Sequence, residues 1–135
     1  MIGIVIVTHA GLAREFIAAV EHVMGKKQPN ILPVCIAPDA DMGDMLNVIT
    51  QNVAQVDMGQ GVVILTDMFG GTPSNLAISL TENKNIEVLA GVNLPALIKL
   101  VSIRHNTPLT QAVSIARDAG IKYMTATSDF FCNNG

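Results

Sequence analysis

Two residues that could do chemistry together, His9 and Asp67, each stand directly after an apolar run that predicts a buried strand. A carboxylate that accepts one imidazole N–H fixes the tautomer of the ring and leaves a lone pair on the other nitrogen. Such a histidine can act as a nucleophile or as a base. Because the sequence contains no GxSxG elbow, the histidine itself is the better candidate for the nucleophile, with Asp67 as the group that orients it.

The loop after the second of these strands has the composition of an anion site. The Gly70-Gly71 pair lets the main chain come close to a ligand, and the helix predicted directly after it would direct N–H groups into the same crevice. We expect Gly71, Thr72 and Ser74 to bind a phosphoryl group, with no N–H contributed by Pro73. There is no P-loop and no Lys or Arg in these loops to clamp a nucleotide triphosphate, so ATP is not the expected donor.

Each of these residues also has a purely structural interpretation. His9 could be a hydrogen-bonded histidine at a strand end, and Asp67 could cap a turn. Thr72 could be a plain helix cap, and both glycines could serve a turn that needs positive φ. The combination of a histidine, a carboxylate and an anion loop at matching strand ends favours the functional interpretation.

Other polar side chains fit structural roles better than chemical ones. His22 is predicted on the surface of the first helix, and His105 is predicted near a helix end, where it would interact with the helix dipole. Cys35 and Cys132 lie far apart and have no neighbouring ligand residues, so neither a disulfide nor a zinc site is expected. Three acidic residues have the spacing of a helix N-terminus rather than of a metal site: Asp39, Asp41 and Asp44. No metal and no cofactor are therefore expected.

The chain alternates between predicted strands and predicted helices. The strands are one that ends at His9, then 31–36, 62–66 and 86–90. The helices run from Leu12 to a stop at Gly25, from Pro38 onward, from a cap at Thr72, from near Pro95, and from Thr107 to Gly120. Such alternation predicts an α/β fold of three layers, with a mainly parallel sheet and helices on both faces.

The position of one proline predicts the order of the strands. Pro33 cannot donate to a central ladder, which places the second strand at an edge, whereas the third strand is apolar throughout and should be central. The simplest order is 2-1-3-4, with its switch point between the first and third strands. His9 and Asp67 stand at the carboxyl ends of those two strands, so the topology should bring them together.

Composition limits the class of protein. The 135 residues suit one domain, 1–135, and a hydrophobic share of 50% with only 14% charged residues suggests that a second copy covers some apolar surface. The net charge of −3 offers no basic face for nucleic acid. No apolar run approaches the roughly 20 residues that cross a bilayer, and the N-terminal run lacks the features of a signal peptide, so we expect a cytoplasmic protein.

The C-terminal segment suggests how two copies would assemble. Residues 121–127 have an extended, alternating character, and the fourth strand would otherwise leave an exposed sheet edge. Because the link after Gly120 is too short for an easy parallel crossover, we expect this segment to add as an antiparallel strand, in its own subunit or across a homodimer. No role for the tail, 128–135, follows from its sequence.

Three motifs, VTHAGLA, LTDMFGGTPSN and LAGVNLPAL, resemble the IIA component of the mannose-type (mannose, fructose, sorbose) bacterial sugar phosphotransferase system, and the resemblance covers nearly the whole chain. It implies that His9 accepts a phosphoryl group from the histidine-containing phosphocarrier protein and passes it to a IIB component. It also implies that Asp67 supports His9, that the Gly71-Thr72 region receives the phosphate, and that the C-terminal strand is exchanged in a dimer. We expect Met68 and Phe69 to form an apolar rim on which carrier proteins dock.

Two other functions remain open on the sequence. One is the phosphoryl-donor subunit of the bacterial dihydroxyacetone kinase, whose first domain resembles the same family, although the TDMFGGTPSN stretch favours the sugar system. The other is an α/β module that keeps the fold and binds or regulates without catalysis. Uptake of an acid-labile phosphate would separate the carriers from the module.

Overall fold

A computed structural model describes residues 1–131 of the chain. The strands in this range are β1 (Gly3–His9), β2 (Ile31–Ile36), β3 (Val62–Thr66) and β4 (Ile86–Ala90). The helices are α1 (Leu12–Met24), α2 (Met42–Val56), α3 (Thr72–Ile78), α4 (Leu94–Ile103), α5 (Leu109–Lys122) and α6 (Thr127–Phe131).

The sheet has the predicted order, β2-β1-β3-β4, and all of its neighbouring strands are parallel. Pro33 lies on the edge strand β2, in register with Ile6 of β1. An edge strand tolerates the missing N–H of a proline because only one of its sides is paired. The α/β class, the parallel sheet and the strand order are therefore confirmed.

Two separate core clusters lie on the two faces of the sheet. One cluster joins the sheet to α1, α4 and α5, and the other joins it to α2 and α3. Alternate residues of β1 supply the two clusters, with Ile4 and Ile6 on the first face and Val5 and Val7 on the second. Each such side chain contributes about 1.5–3 kcal/mol when fully buried. Helices on both faces complete the predicted three layers.

A buried arginine lies at the amino edge of the sheet, where the strands begin, opposite the carboxyl edge at which His9 lies. The side chain of Arg104, at the end of α4, is fully buried and donates to the carbonyl oxygens of Pro29 at 2.6 Å, Asn30 at 3.2 Å and Ile2 at 3.4 Å. These residues come directly before β2 and β1. Burial lowers the pKa of Arg104, but a guanidinium keeps its charge at any pH that a folded protein tolerates.

Helix ends show which local signals were correctly interpreted. Gly25 ends α1 in the left-handed conformation, with φ of 75°, as predicted. The helix expected from Pro38 instead begins at Met42, because Asp41 is its N-cap and accepts the N–H of Asp44 at 2.9 Å. The expected cap at Thr72 is also displaced by one residue. Gly71 holds the N-cap position there, and no side chain caps α3.

The prediction of a strand at 121–127 is wrong for this structure. Helix α5 does not stop at Gly120 but continues to Lys122, and α6 begins at Thr127 after a short link. The reason is the packing of Gly120, where an added β-carbon would lie 2.9 Å from Oδ1 of Asn93 and 3.1 Å from Cβ of Ala96. This glycine permits α4 and α5 to approach closely, and it does not end the helix.

Within the part of the chain that the structure describes, no strand pairs with the outer edge of β4. The last four residues, including Cys132, lie outside the described residues, so the structure does not address the prediction for that cysteine. No helix in residues 1–131 combines the length and the apolar character that a membrane span requires.

Candidate active site

His9 and Asp67 meet at the carboxyl edge of the sheet. His9 is the last residue of β1, and Asp67 directly follows β3, its neighbour in the sheet. Nδ1 of the imidazole lies 2.8 Å from Oδ2 of Asp67, and the main-chain N–H of His9 donates to the same oxygen at 2.9 Å. One carboxylate oxygen therefore orients both the ring and the backbone of the histidine.

The electrostatics of Asp67 define the tautomer of His9. Partial burial pulls the pKa of Asp67 upward, but hydrogen bonds from the backbone and ring of His9 outweigh it, so the pKa lies below its ordinary value. The second oxygen, Oδ1, accepts the N–H of Met68 at 3.0 Å. An ionised carboxylate can only accept, so Nδ1 carries the proton and Nε2 of the neutral ring keeps its lone pair.

The ring nitrogen Nε2 faces the glycine loop. Among residues 1–131 it has no hydrogen-bond partner, and the His9 side chain is 50% exposed whereas that of Asp67 is 11% exposed. A β-carbon added at Gly71 would lie 3.3 Å from Nε2 and 2.9 Å from Cε1 of the ring. Gly71 is extended, with φ of −89°, so its function is close approach rather than positive φ.

The loop owes its shape to Gly70 and Ser74. Gly70 has φ of 88°, a conformation that favours glycine. The buried Ser74 hydroxyl accepts the N–H of Gly70 at 3.0 Å and donates to the carbonyl oxygen of Gly71 at 3.2 Å. Only the main-chain N–H of Ser74 therefore remains for an anion. Thr72 is exposed and its hydroxyl caps nothing, which leaves this hydroxyl available for a ligand.

An open, mainly apolar cleft of about 220 Å³ lies beside His9. This volume is below the 300–1,000 Å³ that is typical of a pocket enclosing a small organic ligand. Its lining comes from the ends of β1 and β2 and the starts of α2 and α3: His9, Ala10, Ile36, Ala37, Pro38, Met42 and Thr72. Met68 and Phe69 are exposed nearby in the loop after β3, by 53% and 76%. The arrangement fits a histidine that is approached from outside by another protein.

Two residues beside His9 were not singled out from the sequence. Thr8 is fully buried, and its hydroxyl accepts the N–H of Ala13 at 2.7 Å. Ala10 has φ of 49°, the left-handed region that non-glycine residues rarely adopt. The alternation of side chains along β1 could have indicated that Thr8 points inward, but its acceptor role depends on the turn geometry, which the sequence does not reveal.

The other candidates lie apart from this site or have local structural roles. His22 is exposed in the last turn of α1, and His105 is exposed directly after the end of α4, near the amino edge of the sheet. Asp41 caps α2. In the described range no group of three or more metal-ligating side chains comes together.

Comparison with known proteins identifies relatives that match most of the chain. A model of the family EIIA-man, described as PTS system fructose IIA component, matches residues 3–116, which include His9, Asp67 and the glycine loop. The PTS system sorbose-specific EIIA component of Lacticaseibacillus casei is 30% identical over 134 residues, covering 97% of this chain and 94% of that protein.

A further relative and a solved structure are also similar to this chain. The PTS system mannose-specific EIIAB component of Escherichia coli K12 is 31% identical over 121 residues, covering 88% of this chain but only 37% of that protein. The chain thus spans little more than a third of the length of that relative. The crystal structure of the phosphotransferase system component EIIA from Streptococcus agalactiae superimposes with a TM-score of 0.86 at 24% identity, covering 96% of this chain and 99% of that one, which shows the same fold.

Proposed function

The chain belongs to the EIIA-man family of fructose IIA components of the sugar phosphotransferase system, and we propose that it carries a phosphoryl group on His9 between two other proteins of that system. Family membership supports a phosphotransferase role in sugar uptake. The observation that carries the finer proposal is the His9 geometry. Nδ1 is bonded to Asp67 at 2.8 Å, and Nε2 is without a partner among residues 1–131.

The chemical step is a nucleophilic displacement at phosphorus. The lone pair of Nε2 forms a bond to phosphorus, and the bond between phosphorus and the donor's own nitrogen breaks with its electron pair returning to the donor. The Nδ1 proton of His9 remains in its hydrogen bond to Asp67. The carboxylate stabilises the positive charge that the ring gains, and the reverse displacement passes the group to an acceptor.

The glycine loop provides a place for the transferred group. Because Gly71 has no side chain, the phosphoryl oxygens on Nε2 can lie against the start of α3. The first-turn N–H groups of Thr72 and Ser74 have no acceptor within the helix and can donate to these oxygens, together with the Thr72 hydroxyl. The adjacent histidine, rather than the short helix alone, makes this a phosphate site.

The donor and acceptor in this proposal are proteins. The histidine-containing phosphocarrier protein supplies the group, and a IIB component receives it, as the family resemblance implies. The small open cleft and the exposed Met68 and Phe69 suit docking of a protein surface better than enclosure of a sugar. A carrier must share the compartment of its partners, so the cytoplasmic location belongs to the same proposal.

The proposal can be tested by phosphorylation in vitro. The protein is incubated with phosphoenolpyruvate, enzyme I and the phosphocarrier, and its intact mass is measured before and after acid treatment. We expect an acid-labile gain of one phosphoryl group in the wild type and in His22→Ala and His105→Ala, and no gain in a folded His9→Ala variant. Labelling of His9→Ala, or no labelling of the wild type, would refute the proposal, and the latter would favour a non-catalytic module.

The relatives bear on the choice between carriers. Several are named for mannose, sorbose and fructose systems, which supports the sugar system over the dihydroxyacetone kinase subunit. Transfer of phosphate from the labelled protein to a IIB component, and none to the kinase, is the expected result.

A homodimer is also part of the proposal, although the predicted strand at 121–127 is here the end of α5, a link and the start of α6. The outer edge of β4 has no partner strand among residues 1–131, and several large apolar side chains are exposed near the C-terminus: Ile121, Tyr123, Met124 and Phe131. Light scattering on the full chain and on a version ending at Lys122 tests this assembly. A full-length monomer, or a truncated chain that stays a stable dimer, would contradict assembly through the C-terminal segment.

A further inference from the structure

We propose that Thr8 is a positioning residue for His9, because its buried hydroxyl ties the end of β1 to the start of α1 and so holds the turn that orients the imidazole. The inference rests on the proposed function, since it matters for transfer only if His9 carries the phosphoryl group. The geometry that Thr8 is proposed to hold exists, however, in the unphosphorylated protein and can be measured there.

The first argument concerns the start of α1. The residue at its N-cap position is Gly11, which has no side chain, and no side chain caps the helix from that position. The N–H groups of a first helical turn nevertheless need acceptors. Thr8 supplies one from the strand: its Oγ1 accepts the N–H of Ala13 at 2.7 Å, and both residues have 0% exposure. The bond therefore spans the turn that contains His9.

The second argument concerns strain in that turn. Ala10 has φ of 49°, and such a conformation persists only where the surrounding contacts hold it. On the strand side, the N–H of Ala10 donates to the carbonyl oxygen of Ile36 at 3.0 Å, and His9 is held by Asp67. The hydrogen bond from Ala13 to Thr8 is the link from the helix side. Its loss removes a side-chain hydrogen bond between the start of α1 and the end of β1, and His9 lies between them.

The imidazole has little freedom to move without consequence. A β-carbon at Gly71 would already lie within 2.9 Å of its Cε1, so the ring is packed closely over the loop. A displacement of about 1 Å in a reacting group can slow a reaction by about 10²-fold. We therefore expect loss of the Thr8 bond to act on transfer as well as on folding.

The chain offers a matched control in Thr66. It lies on the neighbouring strand β3, is also 0% exposed, and its hydroxyl has no hydrogen-bond partner among the described residues. Valine has nearly the shape of threonine, so Thr8→Val and Thr66→Val remove the same atom from two buried strand ends. Only Thr8→Val breaks a hydrogen bond and leaves a buried N–H, that of Ala13, without an acceptor.

Two measurements distinguish positioning from simple stabilisation. In ¹⁵N NMR of the unphosphorylated protein, we expect Thr8→Val to lose the single Nδ1–H tautomer of the His9 ring, whereas Thr8→Ser and Thr66→Val keep it. In single-turnover transfer from the phosphorylated phosphocarrier, we expect Thr8→Val to be slower by about tenfold per folded molecule, an effect of misplacement. Thr8→Ser should restore the wild-type rate.

The outcomes separate this inference from the proposed function. A Thr8→Val protein that melts at a lower temperature but keeps the tautomer and the rate would overturn the inference, as would an equal loss of rate in Thr66→Val. If Thr8→Val does not fold, Thr8→Ala replaces it, since it removes the hydroxyl without placing a methyl group against the N–H of Ala13. If the wild type takes no phosphate, the proposed function fails, and the tautomer measurement still decides the role of Thr8.

Discussion

The strands of the sheet begin at its amino edge and end at its carboxyl edge, and each of these edges holds a cationic or ionisable side chain in hydrogen bonds. The two side chains differ in what they can do chemically. At the carboxyl edge, His9 is half exposed and bonds to the carboxylate of Asp67. At the amino edge, Arg104 is fully buried, and among residues 1–131 its side chain bonds to main-chain carbonyl groups only. The first arrangement leaves a ring nitrogen with an available lone pair beside the glycine loop, whereas the second uses a group that has donors and no lone pair to offer.

The difference shows which kind of polar contact points to function in this fold. Arg104 is buried and makes several hydrogen bonds, so its role is structural. It joins the segments before β1 and β2 to the end of α4. Exposure, a charged partner and a ring nitrogen with no hydrogen bond among residues 1–131 support the proposal that His9 is the reactive group. Mutations at the carboxyl edge should therefore alter transfer, and mutations at the amino edge should alter stability.

The largest expected effect is on transfer in Asp67→Asn. The amide can donate to the ring and so favours the wrong tautomer, and the charge on the phosphorylated ring loses its partner. We expect transfer from the phosphocarrier to slow by about 10²-fold or more, measured in single turnovers, with an unchanged circular dichroism spectrum. An unaltered rate would reduce Asp67 to a structural role and remove the contrast between the two edges.

The next effect is on stability in Arg104→Met. A buried hydrogen bond to a charged group contributes about 1.5–3 kcal/mol, and the Pro29 carbonyl accepts at 2.6 Å, so we expect the free energy of unfolding in urea to fall by about 2 kcal/mol or more. Arg117→Met is the control, because Arg117 is 57% exposed in a loose 3.6 Å pair with Asp118, and we expect it to change stability by less than about 0.5 kcal/mol. Slower transfer in correctly folded Arg104→Met would place chemistry at both edges.

A smaller effect is expected in Thr72→Val. The substitution removes a hydroxyl that can bond the phosphoryl group, while the main-chain donors at the start of α3 remain. A hydrogen bond to a charged group contributes about 1.5–3 kcal/mol, and the remaining main-chain donors offset part of its loss, so we expect transfer to slow by about tenfold. A loss as large as that of His9→Ala would show that the hydroxyl, rather than the backbone, holds the phosphate.

The smallest expected effect is a difference between the two edges in how the free energy of unfolding depends on pH. The pKa of Asp67 is lowered by folding, so its stabilising contribution is present above the unfolded value of about 3.9 and is lost as the pH falls through the folded value. In urea titrations from pH 7 to pH 3, the stability difference between wild type and Asp67→Asn should narrow at the acid end. The difference for Arg104→Met should stay constant because the guanidinium remains charged. A difference that widens in acid for Asp67→Asn would contradict the assigned hydrogen bonds between His9 and an ionised Asp67.

Much of the fold was predictable because its signals are local. Short apolar runs between helical patterns predicted the strands, and Pro33 indicated that β2 lies at an edge. The resulting order of the strands then brought His9 and Asp67 together. The topology rule needs no knowledge of side-chain packing. For that reason the pairing of two residues 58 positions apart could be predicted from the sequence.

The failures concern contacts that only the folded chain defines. Gly25 and Gly120 look alike in the sequence, but the first ends a helix with positive φ and the second makes room for Asn93 and Ala96 inside one. The bonds of Arg104 join residues 74 to 102 positions apart, and no periodic pattern reveals them. In the loop, Gly71 replaces Thr72 as the N-cap, because Ser74 fixes the loop shape.

His9 has one ring nitrogen without a hydrogen bond among residues 1–131 and lines one cleft of about 220 Å³, and this has a consequence for reaction order. Donor and acceptor must use the same approach to the same atom, so they exclude one another and follow one another in turn. Under the proposed function, steady-state kinetics are therefore of the ping-pong type. An excess of spent donor occupies the site and slows delivery, so flux is greatest when the two partners are balanced.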